Sequence, residues 1–213
     1  MNWGPKMIRI ALGLLTIVFL LVVYARLPDG QKTDYQMLIQ KPLPIDHNLK
    51  VVQESFYREL SQMKHLSDED SKEIAALIPI YAKKYDIDSA VLFGVLWKES
   101  RFQHTVEHKP TNVKALGKTV QAIGIGGIVY EFWGSKLEAA GIIKEKEDLY
   151  LLDKGIESSA FVLSELKKLG PLKGHNLTDS MLHRYYGAST KHYAKKVISK
   201  ANEIKKNTVD FLF

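Results

Sequence analysis

An uninterrupted apolar run near the start of the chain limits its architecture more than any other feature. Between Met7 and Ala25 the only charged residue is Arg9, and from Ile10 to Tyr24 only Gly13 and Thr16 interrupt large or medium apolar side chains. Nineteen helical residues at a rise of about 1.5 Å each come close to a hydrocarbon core of roughly 30 Å. Nothing in the run supplies a polar face, so it does not read as a helix of a soluble core. It reads as a single N-terminal transmembrane helix within residues 1–25. Lys6 and Arg9 stand at its start, whereas Arg26 and Lys32 beyond it are offset by Asp29 and Asp34. The positive-inside bias then keeps the N-terminus in the cytoplasm and puts the rest of the chain outside the cytoplasmic membrane. Val23-Tyr24-Ala25 also fits a signal-peptidase site, so a retained anchor and a cleaved signal peptide are both open.

Residues 26–48 carry Pro28, Asp29-Gly30, Pro42 and Pro44 among polar residues with no sustained period, the pattern of an extended linker. From about residue 49 the spacing turns helical: Val51, Val52, Ser55, Phe56, Leu60 and Met63 recur at three- and four-residue steps. Ser67-Asp68-Glu69-Asp70 opens a second helix in the manner of a capping box, and Asp86-Ile87-Asp88 ends it and caps a third. Further helices are predicted around Tyr130–Ala140, Leu151–Leu169, Thr178–Tyr186 and Lys191–Lys206, with Gly141, Gly170 and Gly187 as stops. Strand patterns are nearly absent. The expected fold class is therefore all-α: one helical domain over residues 49–206, followed by a short tail at 207–213. With 213 residues and 46% hydrophobic side chains, the chain supplies one good core once the N-terminal run is set aside. The absence of cysteine removes disulfides, thiolate metal sites and a cysteine nucleophile. A net charge of +6 favours anionic partners, among them nucleic acid, acidic lipid and the acidic polymers of a cell wall. An outward-facing domain without a nucleic-acid module points away from the first of these.

The helix beginning near Asp88 carries the chemical signal. Val91, Leu92, Val95 and Leu96 form its apolar stripe, and the next position on that stripe is Glu99. A carboxyl buried without a partner in apolar surroundings has its pKa raised, the condition a proton donor needs near neutral pH. A Glu at the edge of the core, bonded to a backbone N–H or an Arg, satisfies the same pattern.

Ile80-Tyr81-Ala82-Lys83-Lys84-Tyr85-Asp86-Ile87-Asp88, followed by Leu92 through Phe102 with Glu99-Ser100 inside it, resembles the opening of the lytic transglycosylase catalytic domain related to goose-type lysozyme. Ala122-Ile123-Gly124-Ile125-Gly126-Gly127-Ile128 stands where that family has its Gly-Leu-Met-Gln segment, with Gly127 in place of the Gln. Gly155 replaces the Asn of a later Asn-Ile pair, Arg184-Tyr185-Tyr186-Gly187 is similar to the family's Ala-Tyr-Asn-Gly, and Tyr193 through Val197 resembles its Tyr-x-x-Lys-Val. The likeness runs over about residues 74–202, with the motifs in the family's order.

The resemblance implies a lysozyme-like helical domain acting on peptidoglycan glycan strands, with Glu99 as sole general acid/base. Its expected substrate-binding residues are Ser100, Gln121, Gly124, Gly126, Gly127, Ile128, Tyr130, Tyr185 and Tyr186, the polar contact missing at Gly127 falling to Gln121 or Tyr130. The Tyr185 hydroxyl is expected near Glu99, and Trp97 and Trp133 are expected to be packing residues. Glycosidases working by displacement use two carboxylates, yet Glu107, Glu131, Asp148 and Glu157 lie in polar settings that read as surface. One carboxyl suits a transglycosylase: it protonates the leaving oxygen, then takes the proton of the muramic acid 6-hydroxyl, leaving a 1,6-anhydro end. No cofactor or metal is expected. His104-Thr105-Val106-Glu107-His108 matches the H-x-x-E-H zinc pattern but lacks the apolar period of the helix on which that pattern works. A third reading follows from the departures at Gly127 and Gly155: a degenerate domain that binds glycan or scaffolds an envelope assembly without cutting. The lysines of 191–206 read as a solvated helix face.

Overall fold

In the computed structural model, residues 47–113, 117–187 and 191–209 are described. The expected membrane helix, most of the linker and most of the tail lie outside them, and no helix among the described residues is long and apolar enough to cross a membrane. Seven α-helices make up most of the domain: α1 (His47–Leu60), α2 (Asp68–Lys84), α3 (Ser89–Ser100), α4 (Tyr130–Ala139), α5 (Leu152–Lys168), α6 (Leu177–Tyr186) and α7 (Lys191–Val209). The chain is thus mainly helical, and each helix falls where the sequence pattern expects it.

Local chemistry fixes several of the boundaries. Ser67 accepts a hydrogen bond from the Asp70 amide at the start of α2, and Asp88 accepts from the Ala90 and Val91 amides at the start of α3. Such caps contribute about 1 kcal/mol each by satisfying amides that have no partner within the helix. Gly187 ends α6 at φ 70°, a backbone region open to glycine without a Cβ penalty.

The departure from an all-α fold is a small β element between α3 and α4. Strands β1 (Thr111–Val113) and β2 (Lys118–Val120) pair antiparallel, as do β3 (Ala122–Ile123) and β4 (Ile128–Val129). Strands of two or three residues hold at most one turn of a two-residue alternation, so no period shows in the sequence.

Helix α3 is the axis of the core. Every residue from Ala90 to Leu96 is buried, so this helix is apolar all round and must be enclosed by its neighbours. It lies against α2, α5 and most extensively α7. Gly94 permits the last contact: a Cβ there would stand 2.7 Å from the Val197 carbonyl oxygen. Phe93 is sandwiched between Phe56 and Phe102, with ring centroids 4.9 and 4.8 Å away, and such pairs contribute roughly 1 kcal/mol beyond area burial.

Two sequence expectations change here. Glu157 is buried, held by the Lys84 ammonium at 2.5 Å and the Tyr85 hydroxyl at 2.9 Å. Because these two partners come from the far end of α2 and its cap, the polar look of the sequence around Glu157 carries no trace of the burial. The basic face of α7 is solvated at Lys195, Lys196 and Lys206, but Lys200 is buried and paired with Glu59 and Glu203.

Candidate active site

The apolar stripe of α3 delivers Glu99 to the floor of a cleft of about 740 Å³. The carboxyl side chain is 12% exposed, and among the described residues that line this cleft it is the only acidic one. Burial pushes its pKa from 4.5 up to about 7, opposed in part by a hydrogen bond from Tyr193 and by the positive charge of Lys98. The Tyr193 hydroxyl donates to Glu99 Oε1 at 2.5 Å, which leaves Oε2 as the oxygen able to carry the proton.

Tyr193 reaches Glu99 because α7 crosses α3 closely at Gly94. It is the first member of the buried stripe Tyr193, Ala194, Val197, Ala201 and Ile204. Its ring stacks on Tyr186 at 4.6 Å, and the Lys98 ammonium lies 5.7 Å from the ring centre. Burial and the nearby Glu99 charge both raise the phenol's pKa, keeping the proton on it.

The β3–β4 loop supplies the other side of the carboxyl. Gly127 sits at φ 61°, and a Cβ there would fall 2.7 Å from Glu99 Oε2. Its missing side chain therefore makes room for the acid itself. Ser100 donates to the Ile125 carbonyl at 2.7 Å, tying this loop to the end of α3. Tyr185 donates to the Gly126 carbonyl at 2.8 Å, tying it to α6.

No family model matches the chain, and comparison with curated proteins and with solved structures gives no match.

Of the ten expected site residues, Glu99, Gly127, Tyr185 and Tyr186 come together at the cleft. The other six do not line it. Ser100 is buried beneath the loop, and Gly124, whose Cβ would stand 2.2 Å from the Leu149 carbonyl oxygen, packs against that residue. Gly126 abuts Ser159 and Ile128 lies in the core. Gln121 points away, its amide bonded to the His108 carbonyl at 3.0 Å and to the Glu107 carboxylate at 3.3 Å. Tyr130 turns to Glu138. Neither Gln121 nor Tyr130 therefore replaces the polar group missing at Gly127. The Tyr185 phenol is close enough to Glu99 for that charge to raise its pKa, but its hydrogen bond goes to the Gly126 carbonyl and Tyr193 makes the bond to Glu99. Gly155 has its own reason: a Cβ there would fall 2.7 Å from the Ile125 side chain.

Trp97 and Trp133 pack against the core as expected; Trp133 also lines the cleft beside the exposed Phe132, and Trp97 carries the Arg101 guanidinium on its ring at 3.7 Å. Lys109, Lys136 and Arg184 give the cleft a cationic lining. His108 completes the site, its Nε2 lying 3.9 Å from Glu99 Oε2. Burial and the Lys98 charge lower its pKa, so the imidazole is neutral at pH 7. His104 and Glu107 diverge from it: His104 Nδ1 meets the Tyr150 carbonyl oxygen at 2.7 Å, and Glu107 accepts from the Tyr150 hydroxyl. The segment is not helical, and among the described residues no three metal-binding side chains are gathered.

Proposed function

We propose that this protein is a lysozyme-like peptidoglycan lytic transglycosylase, held to the outer face of the cytoplasmic membrane by its N-terminal apolar segment. It cleaves the β-1,4 bond between N-acetylmuramic acid and N-acetylglucosamine. The observation that carries the reading is the lone, desolvated Glu99 carboxyl on the floor of an open cleft, with a pKa of about 7. A group poised there is protonated often enough to give up a proton at neutral pH and basic enough afterwards to take one.

Glu99 Oε2 protonates the leaving glycosidic oxygen as the bond breaks, and groups of the sugar itself carry the charge that develops at the anomeric carbon. The resulting carboxylate removes the proton of the muramic acid 6-hydroxyl, whose oxygen closes the 1,6-anhydro ring. The proton returns to Glu99 and no water is added. Aromatic side chains at Phe132, Trp133 and Tyr186 suit the apolar faces of sugar rings, and the cationic lining suits an acidic wall polymer.

Incubation of the full chain with purified peptidoglycan is expected to release anhydro-muropeptides, detected by mass spectrometry, and Glu99→Gln is expected to abolish them while the protein stays folded. A folded Glu99→Gln protein with full activity removes Glu99 from the chemistry. Because Gln121 and Tyr130 are bonded elsewhere and leave the expected polar contact to the sugar unsupplied, a second reading is a domain that binds glycan without cutting it. Wild-type protein that sediments with peptidoglycan but yields no anhydro ends establishes that reading instead.

A further inference from the structure

The imidazole of His108 is built into the site more firmly than a surface loop residue needs. Its amide donates to the Ala122 carbonyl at 2.9 Å, its own carbonyl accepts from Gln121 at 3.0 Å, and the adjacent Glu107 bridges to Ile123. The backbone is thus pinned on both sides to the strand that leads into the Gly127 loop. Its Nε2 is one of the two buried side-chain polar atoms without a hydrogen-bond partner among the described residues. Pairing such an atom is worth roughly 1–3 kcal/mol, so Nε2 is favourably placed to take a partner within reach. The group that Nε2 faces is Glu99 Oε2, at 3.9 Å. That distance is too long for a hydrogen bond to the protonated acid, yet about 1 Å of side-chain rotation closes it. A side chain at position 127 would block the approach, because its Cβ would stand 3.2 Å from Nε2 and 2.7 Å from Oε2.

We infer that His108 is a positioning residue for Glu99: once the acid has given its proton to the substrate, the Nε2–H of His108 turns to Oε2 and holds the carboxylate. This rests on the transglycosylase reading for its place in the cycle, but the pairing itself does not require turnover. The other polar groups around the carboxyl act elsewhere. Tyr193 from α7 donates to Oε1, Tyr185 from α6 is bonded to Gly126, and Lys98 on α3 lies by the Tyr193 ring. Among the described residues, Oε2 therefore depends on His108 for an N–H. The glycine at 127 and the histidine at 108 form one device, the first leaving the gap and the second filling it with a donor.

The test is a pH titration of the Glu99 carboxyl by carbon-13 NMR in the full chain, for wild type, His108→Ala and His108→Gln, with kcat and KM measured on peptidoglycan. A hydrogen bond to a charged group corresponds to roughly one pH unit, or about tenfold in rate. His108→Ala is expected to raise the Glu99 midpoint by about that much and to lower kcat about tenfold with KM little changed. His108→Gln, which keeps an N–H of similar reach, is expected to restore both. If the alanine variant does not fold, His108→Met, which fills the space without a donor, replaces it. An unchanged Glu99 midpoint in the variant without a donor overturns the inference, as does a failure of Gln to restore it. Wild-type protein with no turnover on any glycan sinks the transglycosylase reading instead, and the titration still decides the role of His108.

Discussion

Glu99→Gln tests the desolvation of the carboxyl through folding, without any substrate. The group's pKa is about 7 in the folded chain against 4.5 for an ordinary Glu. Between those values the native state holds a proton that the unfolded chain has released, so stability falls as pH rises from about 4.5 to about 7. Above pH 7 the full cost of burying the charge is present, and the difference between the two values corresponds to about 3 kcal/mol. At pH 5 the same group costs under about 1 kcal/mol. Gln keeps a carbonyl oxygen to accept from Tyr193 and carries no charge at either pH. The variant is therefore expected to be more stable than wild type by about 2–3 kcal/mol at pH 8 and by little at pH 5. Urea midpoints of the full chain in mild detergent, compared at the two pH values, read the effect as a shift of roughly 1 M or more at pH 8. An equal gain at both pH values, or a loss at pH 8, refutes a desolvated ionisable carboxyl at this position.

Turnover itself should decline as pH rises through about 7, because the donor is the protonated form of Glu99; a rate that climbs through that window contradicts the assignment. Tyr193→Phe removes the hydroxyl that favours the carboxylate, so the alkaline limb of the rate profile is expected to move up by roughly one pH unit and kcat to fall about tenfold. An unchanged profile would separate Tyr193 from the proton transfer. Gly94→Ala places a methyl group 2.7 Å from the Val197 carbonyl oxygen. Overpacking of roughly 1–3 kcal/mol then outweighs a helix-propensity gain of at most about 1 kcal/mol. Urea denaturation should show lower stability, and a more stable variant rules out the close helix crossing.

The helices were legible because their signals are local. Ser67 and Asp88 announce their caps within three residues, Gly187 announces a stop, and the Val91, Leu92, Val95, Leu96, Glu99 stripe is visible within two and a half turns. The site was legible only where a side chain lies on such a stripe, as Glu99 does. Tyr193 had a signal of the same kind, since it heads the apolar stripe of α7, but its partner sits on another helix and pairing between helices leaves no period. His108 is harder still, because its segment is polar and aperiodic and its place is set by a backbone bond to Ala122 and by a bond from the Gln121 side chain. The short strands escaped for the same reason. In the sequence Gly127 looks like a lost side chain, whereas in the packed site a side chain there would collide with the acid.

The donor that steadies Glu99 lies 94 positions further along the chain. A nascent polypeptide that already contains the acidic residue has no phenol to place beside it until α7 has been made and has docked. Fragments cut short ahead of that helix should therefore carry the carboxyl without its donor, so that the proposed glycan cleavage waits on the completion of α7.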